Sequence, residues 1–121
     1  MGMYVGVRGW VEFTHGQREV VEQVLATHHH DLYSAGWAIP SRPFNWTLYV
    51  FYGGDIREQS VDWLRAQVAE LARLVDADGD RPVGFFLLTD ERVQASAWTV
   101  QDGDVREGAA PVELRWDVAG N

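Results

Sequence analysis

Three groups of residues have side chains of the types that could do chemistry. His28-His29-His30 offers three imidazoles in a row. Zinc sites usually space their histidines three to five apart, so that the rings converge on one ion. Three consecutive residues on a helix project in three directions, so the run reads as a solvated helix end rather than a metal site. Asp76-Ala77-Asp78-Gly79-Asp80 has the opening of a calcium loop. Such a loop needs glycine at its sixth place and a bidentate glutamate at its twelfth. Arg81 and Leu87 stand there instead. The stretch is therefore an acidic connecting loop, which can also serve as a handle for a basic partner. Arg8, Tyr52, Asp55 and Arg57 could gather into a polar pocket at the end of the central strands.

Covalent and acid–base chemistry find no support. Ser34, Ser41, Ser60 and Ser96 lie in no nucleophile motif, and a serine nucleophile needs a base and an orienting acid. Asp90 and Glu91 are neighbours in a turn, which is no arrangement for an acid–base couple. The chain has no cysteine, which excludes disulfides, thiolate metal ligands and a cysteine nucleophile. It has no lysine either, and the phosphate-loop pattern is missing around Gly53-Gly54. The expectation is a chain that is not an enzyme, with no cofactor and no metal.

Charge narrows the choice of partner. Eighteen acidic residues against ten arginines give a net charge of -8. Nucleic acid and anionic membranes are poor partners for such a surface. A basic protein is a good one, because long-range attraction speeds encounter. Plain solubility is the competing explanation of the same charge. No apolar run has transmembrane length and no secretory segment is evident, so a cytoplasmic location is expected.

The elements that must position these residues follow from periodicity. Met3 to Phe13 alternates, with Val5, Val7, Val11 and Phe13 on one face and Tyr4, Arg8, Trp10 and Glu12 on the other. The second face fits either an ordinary amphipathic sheet surface or a binding face. Thr14 with Gln17 fits a capping box opening a helix through Val20, Val21, Val24, Leu25 and His28. Gly36 to Ile39 is a short strand stopped by Pro40. A central strand covers Asn45 to Tyr52, apolar on both faces, and Gly53-Gly54-Asp55 reads as a turn. After Ser60, Val61, Leu64, Val68, Leu71 and Val75 mark the clearest amphipathic helix. Val83 to Thr89 is a second central strand, followed by the charged turn Asp90-Glu91-Arg92. Ala95 to Gln101 and Asp104 to Glu107 form a hairpin about Asp102-Gly103, a type I′ signal. Val112, Leu114 and Trp116 alternate in a last short strand.

At 121 residues the chain is expected to form a single domain, 1–121. The element order predicts an α+β, ferredoxin-like βαββαβ fold with a C-terminal β-hairpin or meander extension. Both helices would pack on one face of an antiparallel sheet. The other face would carry Tyr4, Arg8, Trp10, Tyr49, Phe51 and, on one reading, Trp98. It is either open to solvent or covered by the C-terminal extension.

Arg8-Gly9-Trp10, Gly36-Trp37 through Pro40, and Arg42-Pro43-Phe44-Asn45-Trp46 stand out as segments. Phe51-Tyr52-Gly53-Gly54-Asp55-Ile56-Arg57 and Asp78-Gly79-Asp80-Arg81-Pro82 are two more. Together they make the chain similar to a family of small bacterial proteins, some of which resemble immunity proteins of polymorphic or contact-dependent toxin systems. The resemblance covers nearly the whole length. It implies a non-catalytic protein that neutralises a cognate toxin domain, often a nuclease, by occluding its active site or a nearby surface. It carries over no functional residue.

A binding role then rests on the residues themselves. Trp, Tyr and Arg are the side chains that dominate interface hot spots. Arg8, Trp10, Arg42 and Trp46 are the expected anchors, and Asp76, Asp78, Asp80, Asp90 and Glu91 the acidic attraction for a basic protein partner. The alternative is a small-molecule-binding or regulatory ferredoxin-like domain, dimeric through its sheet faces.

Overall fold

The alternation that opens the chain forms β1, Tyr4–Thr14, with buried and open positions trading places along it. β1 sits at the middle of the molecule. The computed structural model, which describes residues 3–41, 46–92 and 94–117, is α+β. Among those residues it has six strands in one antiparallel sheet and two α-helices. Helix α1 covers Arg18–Thr27 and α2 covers Val61–Ala72. The other strands are β2 (Trp37–Ala38), β3 (Thr47–Arg57), β4 (Val83–Asp90), β5 (Ala95–Gln101) and β6 (Asp104–Ala109). Their order across the sheet is β2-β3-β1-β4-β5-β6.

β3 pairs with β1 along its whole length, from Thr14 opposite Thr47 to Tyr4 opposite Arg57. The expected turn at Gly53-Gly54-Asp55 is therefore strand. The reason is the length of β1: its first half would otherwise leave a row of unpaired N–H and C=O groups beside β3. Gly53, Gly54 and Asp55 supply that pairing opposite Arg8, Val7 and Gly6. The Asp102-Gly103 turn does have the geometry a type I′ hairpin needs, with φ of 55° and 78° at its two central residues.

Both helices lie on the face that carries the odd-numbered side chains of β1. Val5, Val7, Val11 and Phe13 pack there with Leu48, Val50, Tyr52 and Ile56 of β3 and Phe86 and Leu88 of β4. Val21 and Val24 of α1 and Leu64, Val68 and Leu71 of α2 close this core. Trp98 belongs to it as well: the pairing Phe86 opposite Trp98 puts the indole on the helix side, 1% exposed. It is not on the outer face. One polar residue crosses the core. Gln67 of α2 accepts from the Trp37 indole N–H (2.7 Å) and donates to the Leu25 carbonyl (3.2 Å), tying β2 and α1 to α2. A buried amide is tolerated when its bonds are made, as these are.

Helix ends differ in detail from the periodicity. A short 3-10 turn, His15–Gln17, precedes α1, with the Gln17 carbonyl oxygen accepting from the Thr14 N–H at 3.3 Å. A second, Glu58–Ser60, precedes α2, and Ser60 makes no side-chain cap. α2 stops at Ala72 rather than Val75, because Arg73 and Leu74 bond three residues back, to Glu70 and Leu71. Tightened last turns of this kind close many helices. The final segment is a 3-10 turn, Val112–Asp117, and not a strand. No helix among the described residues is long and apolar enough to cross a membrane.

Candidate functional site on the outer sheet face

The even-numbered side chains of β1 point away from the helices. They form a line Tyr4, Gly6, Arg8, Trp10, Glu12 that runs roughly 26 Å at the rise of an extended chain. The register adds neighbours on each side. Trp10 lies opposite Phe51 of β3 and Phe85 of β4, so three aromatic side chains stand abreast on adjacent strands. Tyr49 meets the Trp10 ring edge-on at 6.3 Å and lies nearly parallel to Phe51 at 6.2 Å. Four of these aromatics keep a large part of their surface in water: Tyr4 41%, Trp10 36%, Tyr49 42% and Phe51 43%.

Part of the other half of the face is buried. Leu87 and Ala97 point outward by register, yet each is only 5% exposed. The C-terminal turn brings Leu114 beside Leu87 on this surface. Leu114 lines a hollow of about 430 Å³ together with Trp10, Phe51, Phe85 and Leu87. Leu114 thus borders the aromatic row beside Trp10, Phe51 and Phe85, while Tyr4, Tyr49 and, on β4, Val83 stay exposed.

Charge is arranged along the same line. Arg8 borders the aromatic hollow and also a second one of about 490 Å³, lined by Tyr4, Gly6, Asp55, Thr89, Asp90 and Glu91. Three carboxylates face one guanidinium in that second hollow. Two of them are also structural. Asp90 accepts from the backbone N–H groups of Arg92 (2.9 Å) and Gln94 (3.0 Å), which shapes the β4–β5 turn. Glu91 accepts from the Tyr4 N–H at 2.9 Å, pinning that turn to the start of β1. At the far end, Glu12 raises the Tyr49 phenol above its usual pKa, first by hydrogen bonding and then by its negative charge.

The sequence-derived candidates fall into two groups at the two ends of β1. Arg8, Asp90 and Glu91 come together in the acidic hollow, with Trp10 next along the strand. Trp46, Asp76 and Asp80 meet in a third hollow of about 310 Å³, which Glu12 and Arg81 also line. Asp78 is exposed on that loop. Arg42 lies outside the described residues. The imagined pocket of Arg8, Tyr52, Asp55 and Arg57 is only half formed. Arg8 and Asp55 share a hollow, but Tyr52 faces the core and Arg57 stacks over the Tyr4 ring at 5.4 Å. Phe85, Leu87, Thr89 and Leu114 were not candidates. Phe85, Leu87 and Thr89 sit in a strand whose both faces are apolar, and such a strand gives no alternation to single them out.

The two metal readings can be placed as well. The three histidines separate: His28 pairs with Glu70, His29 lies 3.6 Å from Asp31, and His30 packs between Tyr33 and Trp63. Asp76, Asp78 and Asp80 do bring carboxylate oxygens within 4.8 Å of one another. One Asp76 oxygen already accepts from the N–H groups of Asp78 (2.9 Å) and Asp80 (2.8 Å), which holds the loop's shape. Three carboxylates are also half the ligand number that calcium takes.

No protein-family model, no curated protein and no solved structure matches this chain.

Proposed function

We propose that this chain is a non-enzymatic cytoplasmic binding protein whose outer sheet face docks a basic protein domain, as an immunity protein neutralising a cognate bacterial toxin domain. The observation that carries the reading is the set of four exposed aromatics, Tyr4, Trp10, Tyr49 and Phe51, on the open half of one face. Rigid strands hold them, so little ordering entropy opposes their use in an interface. Carboxylates stand at both ends of the row, which suits a basic partner that covers the aromatics and meets acid at its rim. The similarity of the segments quoted above to immunity proteins gives the partner its class. We read the first four strands and both helices as ferredoxin-like, supported by the order β2-β3-β1-β4 with antiparallel neighbours throughout.

The test is protection. Any basic toxin-like domain encoded beside this chain is the candidate, expressed in cells with and without this protein. The wild-type chain should restore growth, and Trp10→Ala with Phe51→Ala should fail while accumulating to the same level. Equal protection by the double variant would remove the outer face from the account. A second reading, a small-molecule-binding regulatory domain, is favoured by the aromatic hollow beside Leu114. A metabolite that raises the melting temperature of the wild type and not of Trp10→Ala would favour it.

A further inference from the structure

The open part of the outer face is complementary to itself. Three rows of side chains cross β1 and β3: Arg8 opposite Gly53, Trp10 opposite Phe51, and Glu12 opposite Tyr49. Side chains two apart on a strand are about 7 Å apart, so a cation and a carboxylate flank Trp10 at equal distances. On β3, the bare Gly53 and the Tyr49 ring flank Phe51 in the same way. A Cβ at Gly53 would meet nothing within 4 Å, and Tyr49 is 42% exposed. Now let a second copy be turned over, about a two-fold axis that crosses the strands at the Trp10–Phe51 row. The row order reverses. Arg8 faces Glu12 of the second copy, and the Tyr49 ring faces the space at its Gly53. β4 continues the pattern. Leu87, with Leu114 beside it, faces Val83 of the second copy, an apolar residue that is exposed in the single chain.

The local charge allows this contact. The chain carries -8, but on the outer side of β1 and β3 two arginines, Arg8 and Arg57, balance two carboxylates, Glu12 and Asp55. A guanidinium has five N–H donors and a carboxylate about four acceptor sites. The bond from the Tyr49 phenol to Glu12 therefore leaves that carboxylate able to take a guanidinium as well. Aligned sheets pack face to face about 10 Å apart, a gap that aromatic side chains from both copies fill.

We propose that this chain forms a two-fold dimer through its outer sheet face, with the axis at the Trp10–Phe51 row. Each copy presents the same patch, as a closed symmetric pair requires. The contact is limited to the open rows, so micromolar association is expected rather than a permanent dimer. The dimer covers the aromatics used in the docking proposed above. On that reading, and resting on it, a basic partner must separate the two copies before it binds, and self-association guards the face until then.

Sedimentation equilibrium of the full chain alone, from micromolar to millimolar concentration, is the test. A monomer–dimer equilibrium is expected. It should tighten with added salt, because two acidic copies repel one another, whereas docking of a basic domain weakens with salt. Arg8→Glu and Glu12→Arg each set like charges against one another twice across the axis, and each should weaken the dimer about tenfold or more. Mixed in equal amounts, the two variants should associate again, because every charge then meets its opposite. A folding defect in either variant would not be repaired by mixing. A wild type that stays monomeric at millimolar concentration overturns the dimer, as does a mixture no tighter than the single variants. The measurement needs no second protein, so its failure is separate from failure of the protection assay. A monomer that protects leaves the face to a basic domain.

Discussion

The two faces of the sheet come from the same strands and are built of similar residues, but they meet different surroundings. On the helix face Val7, Val11, Val50 and Phe86 are almost fully buried. On the outer face, one residue along, Trp10 and Phe51 stay more than a third exposed. Fully burying one such side chain is worth roughly 1.5–3 kcal/mol. The helix face has realised that gain in folding, whereas the outer face leaves part of it unrealised. The direction of the chain explains the asymmetry. Two crossovers of the same hand, β1 to β2 through α1 and β3 to β4 through α2, carry both helices to one side. Among the described residues the C-terminal turn reaches the other side, where Leu114 lies beside Trp10, Phe51, Phe85 and Leu87.

If the faces differ in this way, equal truncations should have unequal effects. Trp98→Ala, in the core, should destabilise by about 3–5 kcal/mol and lower the melting temperature by roughly 10–20 °C. Trp10→Ala should destabilise by about 1 kcal/mol or less, since much of that ring is already in water. Comparable losses measured by denaturant unfolding would mean that the outer face is core too.

The glycines draw the same contrast. A Cβ at Gly9 would sit within 3.0 Å of the Phe85 carbonyl oxygen and the Phe86 ring, while one at Gly53 meets nothing within 4 Å. Gly9→Ala should therefore destabilise by about 1–3 kcal/mol through overpacking. Gly53→Ala should be neutral or stabilise by about 0.5 kcal/mol, since alanine suits a strand interior better. Chemical denaturation of the two variants side by side gives the answer.

Much of this was legible from alternation and turn chemistry, and the failures have physical causes. β1 and the β5–β6 hairpin follow from residue pattern, because period two and a positive-φ turn are local properties. Gly53-Gly54 was misread because its fate depends on β1, which is some forty-five residues earlier in the chain. Val112 to Trp116 alternates like a strand but follows Pro111 and seats Leu114 on the outer face, so a tertiary contact overrides the pattern. Trp98 shows the limit most clearly. Alternation says which residues share a face of one strand, and only the register with β4 says which face that is. At the site, Arg8 and Trp10 were visible as unusual residues on an alternating strand. That the Asp90–Glu91 turn and the Asp76–Asp80 loop lie at opposite ends of β1 was not.

Alkaline pH sharpens the comparison further. Burial pushes the Tyr52 phenol up to about 12, and the nearby Tyr33 adds to the rise. The folded state then holds its proton more tightly than the unfolded chain does. Its stabilising contribution is complete below pH 10 and is lost as pH rises from 10 to 12, on the order of 2 kcal/mol. Tyr52→Phe should flatten that slope while losing the 2.8 Å bond to the Tyr33 carbonyl. The smallest effect is expected at the surface. Arg92 and Glu58, 3.2 Å apart and both more than half exposed, should contribute about 0.5 kcal/mol or less. Arg92→Ala should accordingly leave the melting temperature nearly unchanged.

The most direct measurement is a calorimetric titration of the proposed partner, a basic toxin domain encoded beside this chain, into the wild type and into Trp10→Ala with Phe51→Ala, at low and high salt. The account predicts a tight complex with the wild type, weakened by salt because exposed carboxylates steer it. It predicts affinity at least a hundredfold lower for the double variant, the scale expected when two anchor side chains are lost. Undiminished affinity in a folded double variant would contradict the claim that the open aromatic face is where this protein binds.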